Sequence, residues 1–294
     1  MQVFSRRFQI HRYIFRRNMA TTPLLTSACL IVGDEVLNGK IHDKNSNSFA
    51  KLCFSYGISL NKIETVPDSA RDIADSIQRL ARDHDMVVTS GGIGPTHDDI
   101  TYESIAAAFG LTVKLHDETV IRMKRLGKRQ IDPKSEPEVY AAQMRMATLP
   151  YGPSSDDVDV LYPVETSWVP VVVVRKKVFI LPGIPMLFNS LLAGVLPSLI
   201  PRIPPGNKPL RLLVSTSKPE SVMAPFLTRL QASVDDKGIK IGSYPHMTAG
   251  VNTVSIIGKV EFETLMRDLV KQTEEALQGK EISVEEEESL SAKS

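Results

Sequence analysis

The chain has 294 residues, 42% of them hydrophobic and 23% charged, with a formal net charge of +1. That length accommodates one large or two modest domains, the near-zero charge excludes bulk electrostatic attraction to nucleic acid, and no apolar run reaches the length of a membrane span. Two cysteines, Cys29 and Cys53, lie inside apolar patterns and read as core residues of a reducing compartment rather than a disulfide or zinc site.

Residues Met1 to Asn18 carry Arg6, Arg7, Arg12, Arg16 and Arg17 among Phe4, Phe8, Ile10, Tyr13, Ile14 and Phe15, with no acidic residue. An Arg-rich, acid-poor, amphipathic start is the profile of a mitochondrial transit peptide. Against it stands a second start at Met19, where Ala20-Thr21-Thr22 would suit a cytosolic N-terminus. The expected location is therefore the mitochondrial matrix or the cytoplasm, and residues 1–25 are set aside as an N-terminal extension.

Ser27 to Gly33 (SACLIVG) is predicted as a first buried strand, running into Gly33-Asp34-Glu35, Asn38-Gly39 and Asp43-Lys44-Asn45-Ser46-Asn47. Polar residues directly after a buried strand sit at its carboxyl end, where open α/β sheets bind ligands; taken alone they read equally as a capped helix start. Phe49, Leu52, Cys53 and Tyr56 follow at helical spacing, with Gly57 as the stop. Ile58 to Val66 alternates as a second strand. Pro67-Asp68-Ser69 then turns into a helix with Ile73, Ile77 and Leu80 on one face, and by sequence alone Asp68 is that helix's cap.

Met86 to Glu103, MVVTSGGIGPTHDDITYE, is the stretch built for chemistry. Met86 to Thr89 is a buried strand, and Ser90, Gly91, Gly92 and Gly94 break it with backbone that can take positive φ and lie against a ligand. Pro95 stiffens the loop, Thr96, His97, Asp98 and Asp99 form its far lip, and Thr101 with Glu103 opens a helix whose unpaired N–H groups favour an anion. Adjacent carboxylates repel unless a cation or a donor network sits between them. No Gly-Lys-Ser/Thr follows the glycines and the spacing is not G-x-G-x-x-G, so neither a Walker loop nor a dinucleotide fingerprint is present. Alternating strands and helices through Phe109 imply a parallel sheet, which brings the turns at Asp34, Asp68 and Asp98–Asp99 to one edge. One acidic turn is punctuation; three on one edge suggest a site.

Ser90–Thr101, Ser-Gly-Gly-Ile-Gly-Pro-Thr-His-Asp-Asp-Ile-Thr, closely resembles the signature of the molybdopterin-binding-like (MoaB/Mog, CinA N-terminal) domain, and still more the N-terminal domain of eukaryotic FAD synthases. The Gly-Asp-Glu and Asp-x-Asn-Ser elements match the family's opening motif. Gln143 to Pro150 (QMRMATLP) resembles the segment leading into a further strand, and Pro182-Gly183-Ile184-Pro185 belongs to the same likeness. Leu187 stands where bacterial members usually have a glutamate, and their glycine-rich segment is absent around Trp168–Pro170. Both departures point to the FAD-synthase branch. The resemblance spans about residues 26 to 280, and nothing is left over to form the adenylyltransferase domain of FAD synthases or the deamidase domain of bacterial CinA.

The resemblance implies an α/β fold, a three-layer parallel (mixed) sheet of the molybdopterin-binding type over residues 26–200, with a small C-terminal α+β subdomain. It implies metal-dependent hydrolysis of a dinucleotide diphosphate such as FAD or ADP-ribose, and an aspartate lining the pocket at Asp68. On that reading Asp99, Asp98 and Asp68 are catalytic. Gly91, Gly92, Gly94, Thr96, Thr101, Asp34, Glu35 and Asn45 bind ligand or phosphate, with Gly183 helping to close the pocket. Asp98, Asp99 and Asp34 hold a divalent metal, with Mg²⁺, Mn²⁺ or Co²⁺ matching hard oxygen ligands. His97 reads either as a proton donor to a leaving phosphate or as an exposed loop histidine. The expected partner is a dinucleotide or pterin, with no nucleic acid or membrane, and a homo-oligomer by fold analogy. The other functions open to such a chain are a non-catalytic pterin- or nucleotide-binding module and a step of molybdenum-cofactor synthesis.

From Leu111 to Arg145 charge rises, with a helix over Glu118–Arg129 and breaks at Pro133 and Pro137; Arg145 reads as a phosphate contact or a solvated helix face. Tyr151 to Pro170 is expected to be loop. Val171–Val174 and Val178–Leu181 form a hairpin, followed by a helix over Met186–Leu196. Residues 201–209 are a proline-rich linker, residues 210–280 a βαββα subdomain, and residues 281–294 an acidic, disordered tail. Ile241-Gly242-Ser243-Tyr244-Pro245 matches a segment of eukaryotic FAD synthases and otherwise reads as a strand-ending turn.

Overall fold

The computed structural model describes residues 23–127 and 131–291, so the Arg-rich segment and the second start at Met19 lie outside the described residues. Contacts divide the chain into two units, residues 1–204 and 205–294. The first unit runs through β1 (Thr26–Val32), α1 (Asp34–Leu37), α2 (Asn45–Tyr56), β2 (Ser59–Val66), α3 (Ala70–Asp83), β3 (Met86–Ser90) and α4 (Thr101–Ala108). It continues with β4 (Thr112–Leu115), α5 (Asp117–Leu126), α6 (Pro137–Arg145), β5 (Thr148–Tyr151), β6 (Val158–Leu161), β7 (Val171–Val174), β8 (Val178–Leu181) and α7 (Pro185–Leu199).

Six strands form one sheet in the order β2-β1-β3-β8-β7-β6. β1 pairs in parallel with β2 and β3, β3 pairs in parallel with β8, and β7 is antiparallel to both of its neighbours, β8 and β6. The sheet is therefore mixed, as the fold reading expects. Because β1, β3 and β8 are buried on both faces, their side chains alternate between two cores rather than between core and water. Cys29, Ile31 and Val88 join Phe49, Phe188 and Leu191 on the face covered by α2 and α7. Ala28, Leu30 and Val87 join Ile73, Ile77, Leu80 and Ile105 on the face covered by α3 and α4. Helix, sheet and helix make three layers. Cys29 and Cys53 are free and buried, and burial pushes both thiols up, Cys53 to about 11.

Several sequence expectations need correction. Residues 23–25, set aside with the extension, belong to the domain: Leu24 is fully buried in the α2/α7-side core and its N–H donates to the Arg202 carbonyl at 2.8 Å. The segment 151–170 contains β6, a half-buried strand too short to show a period. Pro137 opens α6 rather than breaking it, since a proline at the first helical position gives up only an N–H that had no partner. The unit boundary after Pro204 lies inside the expected linker, whose first residues still belong to the first unit; Arg202 is buried at the end of a 3₁₀ turn.

The second unit comprises β9 (Pro209–Thr216), α8 (Glu220–Ala232), β10 (Lys240–His246), β11 (Val251–Lys259), α9 (Glu263–Leu277), β12 (Lys280–Ile282) and α10 (Val284–Ser291). Its sheet is ordered β10-β11-β9-β12. The open edge at β10 is partly covered by Gln231, whose amide donates to the Ile239 carbonyl at 2.9 Å and accepts from the Ile241 N–H at 2.7 Å. The expected disordered tail is ordered through Ser291. β12 pairs with β9, and α10 opens on a reciprocal cap in which the Ser283 hydroxyl accepts from the Glu286 N–H while Glu286 accepts from the Ser283 N–H. The run of glutamates hides that Ser-x-x-Glu signal under its charge.

Candidate active site

β1, β2, β3 and β8 run in parallel and end on one edge, so the turns after them are neighbours: Gly33-Asp34 after β1, Asp68 after β2, the glycine loop after β3 and Pro182-Gly183 after β8. Asp68 does not cap α3. The Ser69 hydroxyl takes that role by accepting from the Asp72 N–H, which leaves the Asp68 carboxylate to accept from the Asp34 N–H at 3.0 Å. Burial, and then the charges of Asp34, Glu35 and Asp98, push the Asp68 carboxyl above its usual range, although the Asp34 N–H works against them. Asp68 thus feels three further carboxylates across this edge, although among the described residues no group of three or more His, Cys, Asp or Glu side chains is gathered closely enough to hold a metal by itself.

The glycine loop is held from three sides. Gly91 has φ +107° and a Cβ there would run into the Val32 carbonyl oxygen; Gly92 has φ +64° and a Cβ would run into the Thr101 hydroxyl. Both positions require glycine on conformational and steric grounds together. The Gly91 N–H donates to the Leu181 carbonyl and the Gly94 N–H to Asp99 Oδ1 at 2.6 Å, which leaves the Gly92 and Ile93 N–H groups without a partner among the described residues. The stretch of free loop N–H groups is therefore narrower than the Gly91–Gly94 phosphate cradle expected from sequence.

Asp99 faces its own loop. Besides the Gly94 N–H it accepts from the Thr96 N–H at 2.9 Å and from the Thr96 hydroxyl. Thr101 is fully buried and its hydroxyl donates to the Gly91 carbonyl at 3.0 Å. These two residues brace the cradle. Asp98 and His97 are exposed on the lip, and the Thr96 hydroxyl and the Asp98 backbone N–H hold the Asp98 carboxyl below its usual range. Arg145 is part-solvated, its side chain 38% exposed, while its guanidinium donates to the Asp99 carbonyl at 3.0 Å and lies 4.0 Å from Glu103.

Asn45 is 5% exposed and joins three turns. Its side-chain N–H₂ donates to the Ser90 hydroxyl and to the Gly183 carbonyl, each at 2.8 Å. A carbonyl can only accept, which fixes the orientation of the amide and leaves Asn45 Oδ1 as a buried acceptor with no partner. Gly183 lies against Gly91, close enough that a Cβ would come within 3.3 Å of the Gly91 Cα. The structure thus gathers Asp34, Glu35, Asp68, Asp98, Gly92 and Asn45 at one edge and turns Asp99 and Thr101 inward. The bracing role of Ser90 was not read from the sequence; a serine at the end of a buried strand was its signal.

A family model described as a probable molybdopterin binding domain matches residues 28–202. A Caenorhabditis elegans protein described as a probable FAD synthase is 29% identical over 281 residues, covering 90% of this chain and 53% of that protein. A CinA-like protein of Citrifermentans bemidjiense is 36% identical over 125 residues, covering 42% of this chain and 29% of that protein. The chain spans about half the length of the Caenorhabditis FAD synthase relatives it matches. The crystal structure of the protein CinA from Thermoplasma acidophilum superposes with a TM-score of 0.50 at 24% identity, over 59% of this chain and 98% of that one, and shares its fold. Matched over residues 28–202, more than half its length, this chain belongs to the molybdopterin binding domain family.

Proposed function

We propose that the domain is a metal-dependent nucleotide diphosphatase, hydrolysing FAD to FMN and AMP, or ADP-ribose to AMP and ribose phosphate. The observation that carries this reading is the crowding of Asp34, Glu35, Asp68 and Asp98 beside two unpartnered loop N–H groups. The donor set fits a divalent cation, because the carboxylates offer hard oxygens. Mg²⁺ at phosphate sites takes one or two carboxylates and completes its shell with phosphate and water, so no closed protein cage is required. Asp34 and Asp98 would hold the ion, which would supply charge neutralisation and a more acidic water.

The chain's own groups account for the rest. The Gly92 and Ile93 N–H groups donate to the diphosphate oxygens, and the loop stays open because Asp99, Thr96 and Thr101 tie its backbone. Asp68, whose surroundings favour the protonated form, is suited to accept a proton from the attacking water as the phosphorus–bridging oxygen bond breaks.

The test is incubation with FAD, ADP-ribose and NAD, adding Mg²⁺, Mn²⁺ or Co²⁺ in turn, with chromatographic separation of products. FMN and AMP should form only with metal, and Asp68→Asn should reduce turnover by about 10²-fold or more while the variant stays folded. Wild-type turnover by Asp68→Asn, or no product with any metal, defeats the assignment. The family match itself favours a second reading, a pterin- or nucleotide-binding role without turnover or a step in molybdenum-cofactor synthesis. It would appear as ligand-dependent thermal stabilisation with no hydrolysis product.

A further inference from the structure

The glycine loop meets the turn after β8 through backbone alone. The Gly91 N–H donates to the Leu181 carbonyl at 3.3 Å, and Gly183 lies so near Gly91 that a Cβ on it would come within 3.3 Å of the Gly91 Cα. Neither glycine has a side chain to lock that contact. Asn45, at the start of α2, supplies the lock. Its side-chain N–H₂ donates to the Gly183 carbonyl and to the Ser90 hydroxyl, each at 2.8 Å, and that hydroxyl in turn donates to the Pro182 carbonyl at 3.4 Å. One amide therefore holds two successive carbonyls of the β8 turn, one directly and one through Ser90.

The same bonds leave Asn45 nothing to offer a phosphate. Its backbone N–H donates to the Asp43 carboxylate at 2.9 Å, so all three of its N–H groups are committed. The remaining atom, Oδ1, is buried with no partner among the described residues, and an acceptor cannot bind a phosphate oxygen. Burying an unpaired acceptor costs stability, and a cost carried beside a ligand loop points to a role other than stability.

We propose that Asn45 is a positioning residue: through Gly183 and Ser90 it fixes Gly91, and with it the aim of the Gly92 and Ile93 N–H groups that receive the ligand's phosphate. This deepens the diphosphatase reading and rests on its placement of phosphate. Loop donors stabilise an anion only when they are aimed before it arrives, so a small displacement of Gly91 weakens both at once.

The experiment pairs backbone amide NMR with calorimetric titration of inorganic pyrophosphate in Mg²⁺. Four proteins are compared: wild type, Asn45→Ala, Ser90→Ala and Asp85→Ala. Asp85 accepts from the Leu25 and Thr26 N–H groups at the opposite, amino end of the strands, so its variant loses stabilising bonds without touching the loop. Ser90→Ala removes only the relayed bond and carries the test if Asn45→Ala does not fold. Without ligand, the Gly92 and Ile93 amide resonances should move in Asn45→Ala and stay in place in Asp85→Ala. Pyrophosphate should bind Asn45→Ala about tenfold more weakly than wild type, Ser90→Ala by a smaller factor, and Asp85→Ala as wild type. Equal affinity in wild type and Asn45→Ala overturns the proposal, as does a wild type that binds no pyrophosphate. Equal weakening in Asn45→Ala and Asp85→Ala overturns it by making Asn45 merely structural. Weaker binding with unmoved ligand-free amides overturns it too, because Asn45 would then touch the ligand itself. Failure of the diphosphatase reading would look different: no metal-dependent product from FAD or ADP-ribose, with pyrophosphate binding and its weakening in Asn45→Ala still measurable.

Discussion

The two edges of the six-stranded sheet use the same side chain to opposite ends. At the amino edge Asp85, just before β3, accepts from the Leu25 N–H at 3.1 Å and from the Thr26 N–H and hydroxyl at 2.9 Å each. Burial pushes its carboxyl up, but those donors, together with Lys177, outweigh it and hold the group below its usual range. At the carboxyl edge burial, and then the charges of three neighbouring carboxylates, push Asp68 up against a single backbone donor. A carboxylate surrounded by donors stabilises the fold; one buried beside like charge with a single donor costs stability.

The comparison can be broken most severely at the hinge between β3 and the carboxyl-edge loop. Gly91→Ala should destabilise the protein by about 3–4 kcal/mol, since it adds backbone strain to a collision with the Val32 carbonyl, and urea unfolding measures it. At the amino edge, Asp85→Ala should cost about 1–2 kcal/mol, the screened value of charge-assisted hydrogen bonds at a partly exposed carboxylate. Because the folded-state carboxyl is depressed, this contribution is present above the unfolded-state value and lost as pH falls through the folded-state one. Wild type and variant should therefore converge in acid.

Asp68→Asn sharpens the contrast by reversing the sign. A raised folded-state carboxyl gives stability that is full below the unfolded-state value and lost as pH rises through the folded one. At pH 7 the neutral amide should then raise the unfolding midpoint by about 1–2 °C, the modest size reflecting solvent screening, and the gain should vanish in acid. Calorimetry across pH decides it, and a lower midpoint at pH 7 would show that Asp68 is a structural carboxylate like Asp85. The smallest expected effect is the difference in stabilisation by Mn²⁺, which should raise the wild-type midpoint more than that of Asp68→Asn.

Much of this was legible in sequence because it is local. Apolar runs such as Ser27–Val32 and Met86–Thr89 need no partner to be read as buried strands, and glycines after a strand announce a backbone that side chains would block. β6 was not legible, since four residues at an edge carry too little pattern. The order of α10 was hidden because a run of glutamates suppresses the apolar signal even where a Ser-x-x-Glu cap is present.

The sequence by itself determined where the acidic turns and the glycine loop fall along the chain, and that a parallel sheet would bring them to one edge. Only the tertiary structure decided what each residue does there. Asp68 faces Asp34 because Ser69 takes the helix cap; Asp99 and Thr101 turn inward because the loop N–H and carbonyl groups need partners; Asn45 binds the β3 and β8 turns because those strands are adjacent. Strand periodicity and turn chemistry are properties of neighbouring residues, but the partner of a polar side chain depends on strand order, β2-β1-β3-β8, which joins residues as far apart as Asn45 and Gly183.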